Sequence, residues 1–140
     1  MITLFHHVSI HARQNYLFAA LSTIGGLKGW YAPKIKGKVV EGGEFLATSA
    51  KHEAFGWKIL EIKPDTVVRW ECLSGPNDAA GTTVTFTIFS SSETDTCVEC
   101  AHAGHEDPGW TTPAWDLTWT IWLDHLKSFA ETGEATPALS

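Results

Sequence analysis

The stretch at residues 115–129, WDLTWTIWLDHLKSF, decides the fold. Its large apolar residues Trp115, Trp119, Trp122, Leu126 and Phe129 recur at steps of four, three, four and three. That is the period of an α-helix with a single apolar face. Leu123 and Ala130 widen the stripe, and Asp116, Thr120, Asp124, Lys127 and Glu131 occupy the opposite side. Thr112 suits the N-cap, with Pro113 at the first helical position and Asp116 near the positive end of the helix dipole. Gly133 suits the C′ position, and Pro137 blocks continuation. At ~1.5 Å per residue, a helix over 113–131 is about 28 Å long, enough to cross a whole sheet. The following tail, TGEATPALS, reads as frayed.

The residues before this helix speak a different grammar. Residues 4–11, LFHHVSIH, alternate weakly and predict a first strand. Asn15 to Leu21 supplies a short apolar helix. A second short helical turn ends near Trp30, kept brief by Gly25, Gly26, Gly29 and Pro33. From Val39 onward the segments GEFLATSAK, GWKILEIK, TVVRWECLS, TTVTFTIFS and TDTCVECAH lie between turn signals. In the fourth of these, Val84, Phe86 and Ile88 fall on one face and Thr83, Thr85 and Thr87 on the other. Strands at this spacing predict an antiparallel meander with one wet face. The long helix is the cover available for the apolar face. A curved sheet gripping it leaves space between the two, closed at one end by the small helices.

Within the last strand, CVECAH at residues 97–102 has the look of a metal site. Side chains of a strand alternate faces, so Cys97 and Cys100 point to opposite sides and cannot share an ion without a bulge. A structural zinc wants about four ligands, and only Cys72 remains, on another strand. No metal site is therefore expected. Val98, Cys100 and His102 share the inward face. His102 admits two readings: a hydrogen-bonded packing residue, or a cavity histidine that binds a ligand or moves a proton. GHEDPGW, carrying His105, Glu106 and Asp107, reads as a solvated turn in preference to a catalytic carboxylate pair.

Composition narrows the partners. The 140 residues amount to a single domain, taken as 1–140, and carry a formal charge of −6 with ten Lys and Arg. That argues against a nucleic-acid or anionic-membrane partner. No apolar run is long enough for a membrane span, and the opening MITLFHHVSIH is not a signal peptide. Three cysteines without secretory context suggest reduced thiols and a cytoplasmic location. Seven tryptophans are a heavy load, because each large ring must be packed and each indole N–H prefers a partner.

Four stretches together resemble the START-like (SRPBCC) superfamily, and within it the family related to the activator of the ninety-kilodalton heat-shock protein's ATPase. SIHARQNYLFAALSTIGGLKGWYAP is similar to that family's opening strand and helix, followed by an aromatic pair, here Trp30-Tyr31. VVRWEC resembles its V-x-W-x-C strand through Val68, Trp70 and Cys72. GTTVTFTI and TCVECAHAG resemble its G-T-x-V-x-F strand and the next strand, which ends H-x-G-W. WTIWLDHLKSFAETGEATP is similar to its closing helix through Trp119, Leu123, Leu126, Lys127, Glu131, Thr132, Gly133 and Pro137. Two positions depart from the pattern. Ala79-Ala80 stand where the family often has Trp before G-T, and His105 follows Gly104 where the family has Trp.

The resemblance implies an α+β helix-grip fold: a curved antiparallel β-sheet wrapped around a long C-terminal α-helix, with two short helices after the first strand. It also implies an internal cavity. Relatives include carriers of apolar ligands, cyclases and hydroxylase subunits, with no shared catalytic set. Three functions follow as expectations. The leading one is binding of a small apolar or aromatic ligand, without a cofactor, in a cavity lined by Trp30, Trp70, Cys72, Phe86, Cys100, His102, Trp119 and Trp122. The second is an enzyme of cyclase or hydrolase type with His102 as acid/base. The third is a chaperone-type interaction protein, for which an open sheet edge or the Thr-rich face also allows a homodimer.

Overall fold

A computed structural model describes residues 1–105 and 111–139. The chain runs β1 (Ile2–Ile10), α1 (Gln14–Ser22), α2 (Ile24–Trp30), β2 (Lys34–Gly37), β3 (Glu44–Thr48), β4 (Phe55–Lys63), β5 (Val67–Ser74), β6 (Thr83–Ser90), β7 (Thr96–His105) and α3 (Thr112–Thr132). The seven strands form one antiparallel sheet in the order β1-β7-β6-β5-β4-β3-β2. It curves around α3, which is the helix-grip arrangement expected from the sequence.

The alternation that predicted β6 and β7 decides their faces. Val84, Phe86 and Ile88 are buried, as are Val98, Cys100 and His102, while Cys97, Glu99 and Ala101 lie on the other face. Opposite them, Trp115, Trp119, Trp122, Leu123, Leu126 and Ala130 turn inward from α3. Three polar links fasten α3 along β1. His6 Nε2 lies 2.8 Å from Asp116 Oδ1, Lys127 Nζ donates to the Ser9 carbonyl at 2.8 Å, and the His11 backbone N–H donates to Glu131 Oε2 at 2.8 Å. At the closed end α2 meets α3 closely: a Cβ on Gly29 would sit 2.3 Å from the Phe129 ring.

Several details differ from the expectations. Strand β2 went unseen, because its four residues, KIKG, bury only Ile35 and offer too short an alternation to read. The N-cap of α3 is Thr111 in a helical conformation, not Thr112. Thr112 begins the helix, and its buried hydroxyl has no partner among the described residues. Gly133 is the left-handed C-cap as expected, with φ 77°.

The tail is docked, not frayed. Thr136, Ala138 and Leu139 donate backbone hydrogen bonds to the carbonyls of Gly29, Trp30 and Tyr31, and Leu139 is buried. Polar composition concealed those backbone partners. His105, expected in a solvated turn, closes β7 and is buried. Strict alternation would have turned it outward. Gly104 instead takes φ 99°, open to glycine, and the register slips where Ile2 faces His105 and Thr3 faces Ala103. The extra residue returns His105 to the inner face. Glu106 and Asp107 lie outside the described residues.

Candidate functional site

The interior has an aromatic middle and a histidine end. In the middle, β5 contributes Trp70 and β6 Phe86, with ring centroids 5.1 Å apart. Helix α3 brings Trp119 to 5.8 Å from Phe86 and Trp122 to 4.9 Å from Trp119. Trp30 meets Phe86 edge-on at 6.3 Å. These edge-to-face contacts are the preferred geometry of packed rings. Seven of the eight residues expected to line a cavity, Trp30, Trp70, Cys72, Phe86, Cys100, His102 and Trp119, are at most 1% exposed. The eighth, Trp122, is 4% exposed and reaches the surface groove described below.

Sequence reading passed over Tyr31, Phe55, Trp57 and Trp115 as part of this cluster. Tyr31 sits 5.0 Å from Trp122 and 6.2 Å from Trp70, and its hydroxyl accepts the Trp57 indole N–H at 2.9 Å. Burial drives its phenol pKa well above the ordinary value. The signal for Tyr31 was the Trp30-Tyr31 pair itself, and for Trp115 its place in the helical stripe.

The indole donors are not treated alike. Trp30 donates to the Ala20 carbonyl, Trp57 to Tyr31, and Trp115 to the Asn77 carbonyl. Among the described residues, the buried N–H groups of Trp70 and Trp119 have no acceptor. A buried donor left bare costs about 1–3 kcal/mol.

The histidine end is a closed chain of hydrogen bonds. The Thr82 hydroxyl donates to the Ala79 carbonyl at 2.6 Å, so toward His102 it can only accept. His102 therefore carries its proton on Nε2, 2.9 Å from Thr82 Oγ1. Its Nδ1 is then an acceptor, and His105 donates to it from Nε2 at 2.9 Å. Neither ring nitrogen of His102 is free for a substrate. Burial first, then the neighbouring His105 and His6, lower the His102 pKa to about 3. Burial lowers that of His105 as well. Both are neutral imidazoles at pH 7.

The thiols are equally quiet. Burial raises Cys72 to about 11, partly offset by a backbone hydrogen bond at Ser74. Burial raises Cys100 further. Neither offers a thiolate at neutral pH. Among the described residues, no cluster of three or more His, Cys, Asp or Glu side chains has the geometry to hold a metal ion.

Where the grip opens, a groove of about 430 Å³ lies between α3, the β3–β4 connection and the docked tail. Phe55, Trp115 and Trp122 line it as aromatic walls, with Ile121 and Leu139 beside them. Lys51, His52 and Glu53 supply charged and polar groups from the connection, and Asn77 a polar group from the turn after β5. Trp122 and Trp115 are 5.9 Å apart and continue inward to Trp119 and His102, respectively. Nothing in the sequence singled out Lys51 or His52, because a loop carries no periodic signal.

A family model described as activator of Hsp90 ATPase homolog 1-like protein matches residues 11–131. No curated protein matches the chain. Among solved structures, the Aha1 dimer from Colwellia psychrerythraea is 23% identical with a TM-score of 0.83, covering 95% of this chain and 98% of that one. Protein MLL2253 from Mesorhizobium loti is 16% identical with a TM-score of 0.77, covering 91% and 95%. Norcoclaurine synthase from Thalictrum flavum, solved in complex with dopamine and hydroxybenzaldehyde, is 11% identical with a TM-score of 0.68, covering 91% and 85%. At these identities the likeness is one of fold. No helix among the described residues is long and apolar enough to cross a membrane.

Proposed function

Since the chain belongs to the activator of Hsp90 ATPase homolog 1-like family, we propose that it binds a small, largely apolar or aromatic molecule. The molecule enters by the groove beside Trp122. The interior formed by Trp30, Trp70, Cys72, Phe86, Cys100, His102 and Trp119 is the receptor behind it. The observation that carries this reading is the aromatic-walled groove of about 430 Å³. Small-molecule sites typically span about 300–1,000 Å³, mostly apolar with a few placed polar groups. The bare indole N–H groups of Trp70 and Trp119 support it, since a ligand acceptor would relieve their cost. The norcoclaurine synthase complex, with aromatic molecules bound to the same fold, is in keeping with it.

His102 serves this function as scaffold. An acid/base must present a nitrogen to the reacting group, and both of its nitrogens are taken. The Colwellia relative is a dimer, and the same assembly is proposed for this chain, to be tested by sedimentation.

The binding test is a titration of intrinsic tryptophan fluorescence with a panel of naphthols, biphenyls and long-chain alcohols. Quenching or a spectral shift that saturates, and that weakens in Trp122→Ala, is the expected result. A flat response across the whole panel overturns the proposal.

A further inference from the structure

The outer face of the sheet carries a second concavity, unrelated to the groove. Lys36 pairs with Leu46, Leu46 with Gly56, and Gly56 with Ser74, so one row crosses β2, β3, β4 and β5 on the same side. Gly56 has no side chain in that row, and the Ser74 hydroxyl takes the place one would fill. A Cβ there would lie 2.6 Å from Ser74 Oγ. Beside this hydroxyl lies a pocket of about 380 Å³, lined by Gly56 and Ser74 and flanked by Leu46 and Leu73. These two leucines are 39% and 43% exposed.

Charge distinguishes the same corner. Residues 28–58 hold six lysines against three glutamates, whereas the rest of the chain holds four cations against thirteen carboxylates. Lys34, Lys36 and Lys38 are exposed on and just after β2, the last strand of the sheet. Among the described residues, none of the three has a carboxylate within ion-pair distance. Glu44 also lines the pocket, but it sits opposite Lys58 on β4. Edge lysines commonly guard a strand against unwanted pairing. Guarding leaves the two exposed leucines beside an empty dip unexplained.

We propose that this corner docks an acidic segment of a partner protein, with one apolar side chain of that segment seated in the pocket between Leu46 and Leu73, beside Ser74. Carboxylates flanking the anchor meet Lys34 and Lys36. An apolar anchor in a pocket, ringed by complementary charge, is the usual anatomy of a protein interface. The proposal is independent of the small-molecule site.

The test uses the whole protein and three fluorescein-labelled peptides, EELLEE, EESSEE and KKLLKK, read by polarisation at low ionic strength. EELLEE is expected to bind. EESSEE should bind at least about tenfold more weakly, as loss of a buried leucine implies. KKLLKK should not bind. Lys34→Glu with Lys36→Glu should abolish binding, and Leu73→Ser should weaken it about tenfold. All three positions are exposed, so these variants keep the fold. Amide shifts on adding EELLEE should map to Leu46, Gly56 and Leu73. Three results overturn the proposal: no binding of EELLEE up to on the order of 1 mM, undiminished binding to the charge-reversed variant, or sedimentation with phosphatidylserine vesicles in place of peptide binding, which would assign the lysines to a lipid surface.

Discussion

The histidine end and the aromatic middle of the interior handle polar atoms in opposite ways. Around His102 the groups are joined, from the His105 Nε2–H through His102 and Thr82 to the Ala79 carbonyl. Between β5 and α3, two indole donors, on either side of Phe86, find no acceptor among the described residues. A satisfied network specifies one geometry, and breaking it leaves several groups bare together. A bare donor costs stability at rest; under the proposed function it is held for an acceptor that arrives later. Under the proposed function, the difference separates scaffold from receptor inside one small core.

Trp115 joins the two regions, and its loss should have the largest effect. It packs 4.9 Å from His102 and 5.9 Å from Trp122, lines the groove, and donates to the Asn77 carbonyl. Trp115→Ala removes a buried ring and a hydrogen bond together. About 3–5 kcal/mol of destabilisation is expected, read as a lower urea midpoint. A loss under about 1 kcal/mol would mean that the two regions are not coupled through this ring.

Acidification tests the histidine end alone. The folded pKa of His102 is depressed, so the unfolded chain binds its proton first as pH falls. Stability contributed by the neutral imidazole is full above the unfolded value of about 6.5 and is lost below it, down to about 3. Between pH 7 and pH 5 the loss from His102 is about 2 kcal/mol. His105 shifts in the same direction and adds to it. Urea melts at the two pH values check this, with His102→Leu as the control. That variant starts less stable, with Thr82 Oγ1 losing the donor it accepts and His105 Nε2–H losing its acceptor, but should show a shallower pH slope. A slope equal to that of the parent would assign the acid sensitivity to other groups.

Much of this contrast was legible beforehand, and the rest was hidden for identifiable reasons. Period-four-and-three tryptophans, alternating strands and the Gly133 cap all express local geometry, and each appears where the residues predicted. The inward placement of Cys100 and His102 followed from alternation alone. His105 did not, because a single positive-φ glycine reverses the parity of everything after it. The docked tail was hidden because backbone partners leave no mark on composition. The groove and the outer pocket depend on segments distant in sequence, such as Lys51 with Trp122, and Gly56 with Leu73. No short-range pattern brings those residues together.

The smallest effects are also the most discriminating. A benzothienyl-alanine isostere keeps the shape of tryptophan but replaces the indole N–H with sulfur. At Trp57 it removes the donor that Tyr31 accepts, and a loss of about 0.5–1.5 kcal/mol is expected. At Trp119 the described residues offer no acceptor, so stability should be unchanged or slightly raised. Thermal melts of the two proteins therefore move in different directions, although ring and burial are closely matched. Repeating the fluorescence titration adds the second half of the argument. If the bare donor is held for a ligand, the Trp119 isostere should bind it more weakly while being no less stable, and the Trp57 isostere should bind it as before. Equal losses of stability at both sites would show that the Trp119 N–H already has a partner, and that the reserve assigned to the aromatic middle does not exist.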